Sequence, residues 1–107
     1  MERKFYGVKF TESAEKDLKK INKSNKAIAK LLKKWISENL IGTQNPKQRG
    51  KALTGNLKGL WRYRVGSYRI IAEIKNDILL ILIIEISDRK EIYKDKKRKT
   101  YKDEKIK

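Results

Sequence analysis

Cysteine and histidine are both missing from the 107 residues, and each absence removes a class of chemistry. Without thiols there is no disulfide framework, no thiolate nucleophile and no cysteine-held zinc; without imidazole there is no histidine acid–base scheme. No cofactor and no metal are expected. Proline occurs once and aromatic residues make up only 8% of the chain, with 38% hydrophobic residues overall, which suits one small domain with a modest core. Nothing approaches the roughly 18 continuous apolar residues of a membrane-spanning helix. Met1-Glu2-Arg3-Lys4 leads into a mixed strand and not into the apolar run of a signal peptide. A cytoplasmic protein without a membrane partner is expected. Acid is scarce as well: 29 Lys and Arg face 13 Asp and Glu, a formal charge of +16 and a pI of about 10.1. That excess exceeds what solubility requires and makes a polyanion the first partner to consider, whether RNA, DNA or an acidic protein.

Against those absences the chain has clear periodicity. Tyr6, Val8 and Phe10 alternate with Gly7 and Lys9, which predicts a short strand with the first set facing inward. Thr11 then offers a hydroxyl cap, Glu12 and Glu15 sit where a helix dipole favours acid, and Ala14, Leu18 and Ile21 recur at helical spacing. Asn22 to Asn25 reads as a polar break, with Ser24 or Asn25 capping a second helix. Its apolar stripe is Ile28, Leu31, Leu32, Trp35, Ile36 and Leu40. The two helices are expected to form an antiparallel hairpin over one face of a sheet. From Gly42 to Gly59 the composition shifts to Gly, Asn, Gln, Lys and the lone Pro46, a connecting loop that Leu53 and Leu57 are expected to pin to the core.

The stretch Leu57–Ile74 carries the chemistry. Two alternating runs meet at Gly66-Ser67, and a two-residue link of this kind needs a positive φ at its first residue, which glycine supplies. With that turn the register follows: Val65 opposite Tyr68, Arg64 opposite Arg69, Tyr63 opposite Ile70, Arg62 opposite Ile71. Like charges opposite one another destabilise a sheet, so Arg64 over Arg69 predicts a bound anion, and guanidinium forks match phosphate. Asn76-Asp77 marks a further turn before Ile78–Ile84, an unbroken apolar run that predicts a central strand covered on both faces. Asp88, Arg89, Lys90, Glu91 and Tyr93 follow, their polar groups expected near the hairpin arginines. Residues 94–107 hold eight Lys or Arg against three Asp or Glu and almost nothing to bury, a basic tail that is a frayed helix or disordered.

Leu53-Thr54-Gly55, Trp61-Arg62-Tyr63-Arg64, Gly66-Ser67-Tyr68-Arg69 and Arg89-Lys90-Glu91-Ile92-Tyr93, in this order and around an apolar strand, resemble the RelE/ParE superfamily of toxins over residues 5 to 93. The resemblance implies an α+β fold: a strand, a two-helix antiparallel hairpin and a three-stranded antiparallel meander, in one domain spanning residues 1–93. It implies the toxin of a type II toxin–antitoxin system, held inactive by a cognate acidic antitoxin. RelE-like members enter the ribosomal A site and cut messenger RNA; ParE-like members poison DNA gyrase without being enzymes. Carried over by position, the RelE-like reading makes Arg64, Arg69, Arg89 and Tyr93 catalytic and Arg62, Lys58 and Lys90 RNA-binding. A toxin that binds RNA or antitoxin without cutting is the third alternative.

Relatives of the RelE branch often carry lysine where Arg62 and Arg64 stand and histidine where Asp88 stands. Arginine, with a pKa above about 12, does not serve as a general base. Tyr93, Lys58, Lys90, Asp88 and Glu91 remain the candidates for that role. Each feature also has a plainer reading. The three hairpin arginines can be a solvated sheet face, Tyr93 a lid on the core, Trp35 and Trp61 core residues, Gly55 and Gly59 turn residues, and the lysines of the tail a solvated run that attracts ribosomal RNA non-specifically.

Overall fold

The computed structural model describes residues 4–88. Arg89, Lys90, Glu91, Tyr93 and the basic tail lie outside the described residues. The order of elements is β1 (Gly7–Phe10), α1 (Glu12–Ser24), α2 (Lys26–Asn39), β2 (Lys51–Ala52), β3 (Trp61–Val65), β4 (Tyr68–Lys75) and β5 (Leu80–Asp88). The strands form one five-stranded sheet in the order β1-β5-β4-β3-β2. β3, β4 and β5 are the expected antiparallel meander. β1 pairs with β5 in parallel, which the intervening helices permit because a parallel pair needs a long crossover.

Both helices start where side chains can cap them. Thr11 Oγ1 accepts from the Ala14 N–H at 3.1 Å, and Asn25 Oδ1 accepts from the Ile28 N–H at 3.1 Å. Asn25 also donates its own N–H to the Ile21 carbonyl at 2.7 Å, so one extended residue ends α1 and begins α2. The polar stretch Asn22–Ser24 is therefore the last turn of α1 and not a break. Polarity there reflects exposure and not loss of helix.

The helices cover one face of the sheet. Ala14, Ile21, Ala29, Leu32, Ile36 and Leu40 pack against Tyr63, Val65, Ile70, Ala72, Ile81, Ile83 and Ile86. Tyr6 is buried, and Val8 and Phe10 pack half-buried at the margin. Leu31 departs from the expected stripe and is exposed, while Ala29, three residues before Leu32 on the inward side, is buried. The small residue lets the helices approach where leucine would hold them apart.

Two further expectations change. Leu53 and Leu57 are half-buried outside the core cluster, because residues 51–52 form a short edge strand and residues 55–57 a 3₁₀ turn that carries them past the sheet. Among the described residues the helices cover the apolar run of β5 on one face, where Ile81 and Ile83 are buried, whereas Leu80, Leu82 and Ile84 are half-buried on the other. Ile78 and Leu79 precede the strand in a tight turn, where Leu79 takes φ +51°.

Candidate anion site on the open face of the sheet

The hairpin register is as the Gly66-Ser67 turn requires. Gly66 has φ +62°, and Val65 pairs with Tyr68, Arg64 with Arg69, Tyr63 with Ile70 and Arg62 with Ile71. Because successive strand residues alternate faces, burying Tyr63 and Val65 under the helices sends Arg62 and Arg64 to the open face. Trp61 stays on the helix face with Tyr63 and packs half-buried against the core, as Trp35 does.

β5 completes the open face through one irregularity. Ile71 pairs with Glu85 but Ala72 with Ile83, so Ile84 is an extra residue in the ladder. In an unbroken strand Glu85 would share a face with Ile81 and Ile83 and enter the core. The bulge reverses that phase, leaving Ile86 in the core and Glu85 and Ser87 on the open face. It is held from α1's side: Thr11 donates its N–H to Ile83 O at 2.9 Å and its hydroxyl to Ile84 O at 3.2 Å. Asp17 Oδ2 accepts the Ile86 N–H at 3.0 Å, beyond the point where β1 stops pairing.

Two rows of side chains result. Arg64, Arg69 and Ser87 form one; Arg62, Ile71 and Glu85 form the next. This is not a solvated face. Ile71 and Glu85 are each 2% exposed and Ser87 3%, and Nε of both Arg62 and Arg69 is buried. Arg64 is exposed. Neither Arg69 Nε nor Ser87 Oγ, neighbours across the β4–β5 ladder, has a hydrogen-bond partner among the described residues. A buried donor left without an acceptor costs about 1–3 kcal/mol. These two stand where the like-charged Arg64–Arg69 pair already raises the local potential.

Among the described candidates for general base, neither stands in these rows. Lys58 is exposed in the turn that leads into β3, at the end away from Arg64. Asp88 pairs with Tyr68 and lines a pocket with Asp17, Lys20 and Ile21 on the helix side. The carboxylate that joins the arginine rows is Glu85. Its signal in the sequence is weak: a single acid after an apolar run reads as the strand's end, and only the bulge shows its face. Tyr63 is also removed from chemistry, since burial pushes its phenol well above the usual range and its hydroxyl donates to Pro46 O at 2.6 Å.

The sequence model of the family described as ParE toxin of type II toxin–antitoxin system, parDE, matches residues 8–93. The chain belongs to the RelE/ParE superfamily of type II toxins. Its fold is similar to that in the RelBE2 toxin–antitoxin complex from Mycobacterium tuberculosis, with TM-score 0.68 and 25% identity over 81% of this chain and 94% of that one. It is also similar to the RelB–RelE antitoxin–toxin complex from Methanococcus jannaschii, with TM-score 0.51 and 29% identity over 79% of this chain and 94% of that one. The isolated RelE toxin of E. coli shares the fold at TM-score 0.61 and 20% identity, over 89% and 98% of the two chains. No curated protein sequence matches the chain.

Proposed function

We propose that this toxin is a ribosome-dependent endoribonuclease that cuts messenger RNA and so inhibits translation. The observation that supports the reading most is Arg69, whose buried Nε lacks an acceptor beside the equally unpartnered Ser87 hydroxyl and opposite Arg64. Two guanidinium groups and a hydroxyl in one cross-strand row suit a phosphate and, more strongly, the extra charge of a phosphorane.

In the proposed reaction the ribose 2′-oxygen attacks the adjacent phosphorus, the bond to the 5′-oxygen breaks, and a 2′,3′-cyclic phosphate remains. Arg64 and Arg69 carry the charge gained by the phosphoryl oxygens. Arg62 holds the neighbouring backbone, with Lys58 and Lys90 as outer contacts. Arg89 and Tyr93, assigned from the family resemblance, serve the leaving oxygen and the base or proton transfer. Glu85 joins Tyr93 as a candidate for the 2′-OH proton, since it lies in the arginine rows. Ribosomal positioning of the messenger supplies much of the acceleration and lets a weak base suffice. The proposed partners are the translating ribosome and a cognate acidic antitoxin in the cytoplasm, the latter in keeping with the net charge of +16 and with similar folds found in toxin–antitoxin complexes.

The test is cleavage of A-site codons by purified translating ribosomes. Arg69→Ala is expected to slow cleavage by on the order of 100-fold, the usual effect of removing one transition-state donor. Arg89→Ala and Tyr93→Phe are expected to slow it too, and Glu85→Gln against Tyr93→Phe separates the two base assignments through the acid limb of the pH–rate profile. Wild-type rates in the Arg69, Arg89 and Tyr93 variants would end the assignment. The matched family is described as ParE toxin, which keeps a second reading in view, the ParE-like one of a non-enzymatic gyrase inhibitor. Induction that leaves messages intact while altering DNA supercoiling selects it.

A further inference from the structure

A second cationic feature stands at the edge of the sheet and shares Arg62 and Arg64 with the arginine rows. From Asn39 to Ala72 the chain carries no acidic residue and seven Lys or Arg. The fold gathers part of that stretch into a cleft of about 330 Å³. β2 pairs only with Trp61 and Arg62, so among the described residues no strand covers the edge of β3 from Tyr63 onward. Across that edge the cleft is lined by Trp35 of α2, Arg49 and Gly50 of the loop, Lys51 of β2, and Arg62, Tyr63 and Arg64 of β3. It therefore combines the half-buried Trp35 ring with exposed cations and has no carboxylate in its lining among the described residues.

The cleft is also built to keep its shape. Trp61 Nε1 donates to Arg49 O at 2.6 Å, and the Tyr63 hydroxyl donates to Pro46 O at 2.6 Å. Lys47 Nζ lies 5.6 Å from the centre of the Trp61 ring. Gly50 has φ +86°, and a Cβ there would run into the Arg62 carbonyl oxygen and Trp61 Nε1. Only glycine lets the loop lie this close to β3 and hold Arg49 and Lys51 at the cleft. On the other wall Trp35 stands 5.7 Å from the Tyr63 ring, tilted by 56°. It is half-buried, so part of its indole is left for a ligand.

We infer that this cleft seats one nucleotide of single-stranded RNA, with its base against Trp35 and its phosphate between Arg49, Lys51 and Arg64. The proposal rests on the reading of RNA as substrate and extends it, since Arg64 belongs both to the arginine rows and to the cleft. The seat holds a nucleotide next to the one being cut. Stacking on one ring with non-directional cations accepts any base, so this subsite contributes grip and register and no sequence preference. A duplex, whose bases are already stacked, does not fit it.

The experiment titrates the purified full chain with a labelled single-stranded hexamer, 2′-O-methylated so that 2′-OH attack is blocked. A matched abasic strand and a duplex serve as comparisons, at several salt concentrations. The wild type is expected to prefer the base-bearing strand over the abasic one by on the order of tenfold. Trp35→Leu abolishes that preference and Trp35→Phe keeps most of it. Arg49→Ala with Lys51→Ala, both exposed and so harmless to folding, weakens all single strands and reduces the salt slope by about 0.7 for each phosphate no longer neutralised. Equal affinity of the wild type for base-bearing and abasic strands, with these variants binding like the wild type while Arg69→Ala still binds more weakly, overturns the cleft and spares the RNA reading. No binding of any strand by the wild type also overturns the cleft as a nucleotide seat, whereas the RNA reading itself falls only if A-site codons are left uncut on translating ribosomes. If the Arg49 and Lys51 variant loses only an acidic protein partner, the cleft is a protein interface and the proposal fails.

Discussion

Tyr63 and Arg64 are adjacent in the chain and belong to different worlds. Tyr63 faces the helices, is fully buried, and spends its hydroxyl on Pro46 O; Arg64 faces the opposite side, exposed and opposite a second arginine. The contrast holds across the meander. On the helix face side chains meet other apolar side chains and supply stability, while on the open face Arg62, Arg64, Arg69, Glu85 and Ser87 concentrate charge and polar atoms in two rows. A fold optimised for stability alone has no use for Arg64 over Arg69 or for a buried donor with no acceptor. The open face carries these costs, and the helix face offsets them.

Substitutions on the two faces sharpen that division. The largest change in stability is expected for Ile70→Ala, which empties a site with 0% exposure at the centre of the helix face; a loss of about 2–5 kcal/mol in urea unfolding is expected. Its neighbour Arg69 behaves oppositely. Arg69→Ala, the variant proposed to slow cleavage, is expected to unfold at the same or a slightly higher urea concentration, since opposed like charges cost a few tenths to about 1 kcal/mol. A large loss of stability there would erase the distinction between the faces.

Gly50→Ala probes the place where the two faces meet at the sheet edge. The positive φ and the contact with Arg62 O predict a loss of about 1–3 kcal/mol, with a change in tryptophan fluorescence as the Arg49 carbonyl leaves Trp61. An unchanged spectrum and midpoint would show that the loop is not pinned. The smallest effect is expected for Thr11→Ala, which removes the α1 cap and one hydrogen bond to the bulge. About 1 kcal/mol is expected, and exchange protection of the β5 amides beside Ile84 is expected to fall more than that of the β3–β4 hairpin.

The parts legible in the sequence are those set by short-range physics. A two-residue turn with glycine at its first position leaves one register for the arms beside it, so the meeting of Arg64 and Arg69 follows from the order of residues alone. Thr11 and Asn25 as caps, the amphipathic stripe from Ile28 to Leu40 with Leu31 as its exception, and the α+β order of elements are legible for the same reason. The family resemblance rests on that stretch too, since its motifs border the hairpin.

What the sequence hides depends on partners far away in the chain. β1 lies beside β5 because of a pairing across more than seventy residues, which no local pattern encodes. The bulge at Ile84 is stabilised by Thr11, and without it Glu85 would be counted with the core. Asp88 reads as a neighbour of the arginines by sequence and stands on the helix side by alternation. The cleft beside Trp35 needs a loop, a helix and a strand edge brought together. Sequence by itself determined the local geometry, the charge and the family of this toxin, because turns, caps and periodicity act within a few residues. Tertiary structure alone decided which side of the sheet each charge occupies, because in a strand one inserted residue exchanges the faces of everything beyond it.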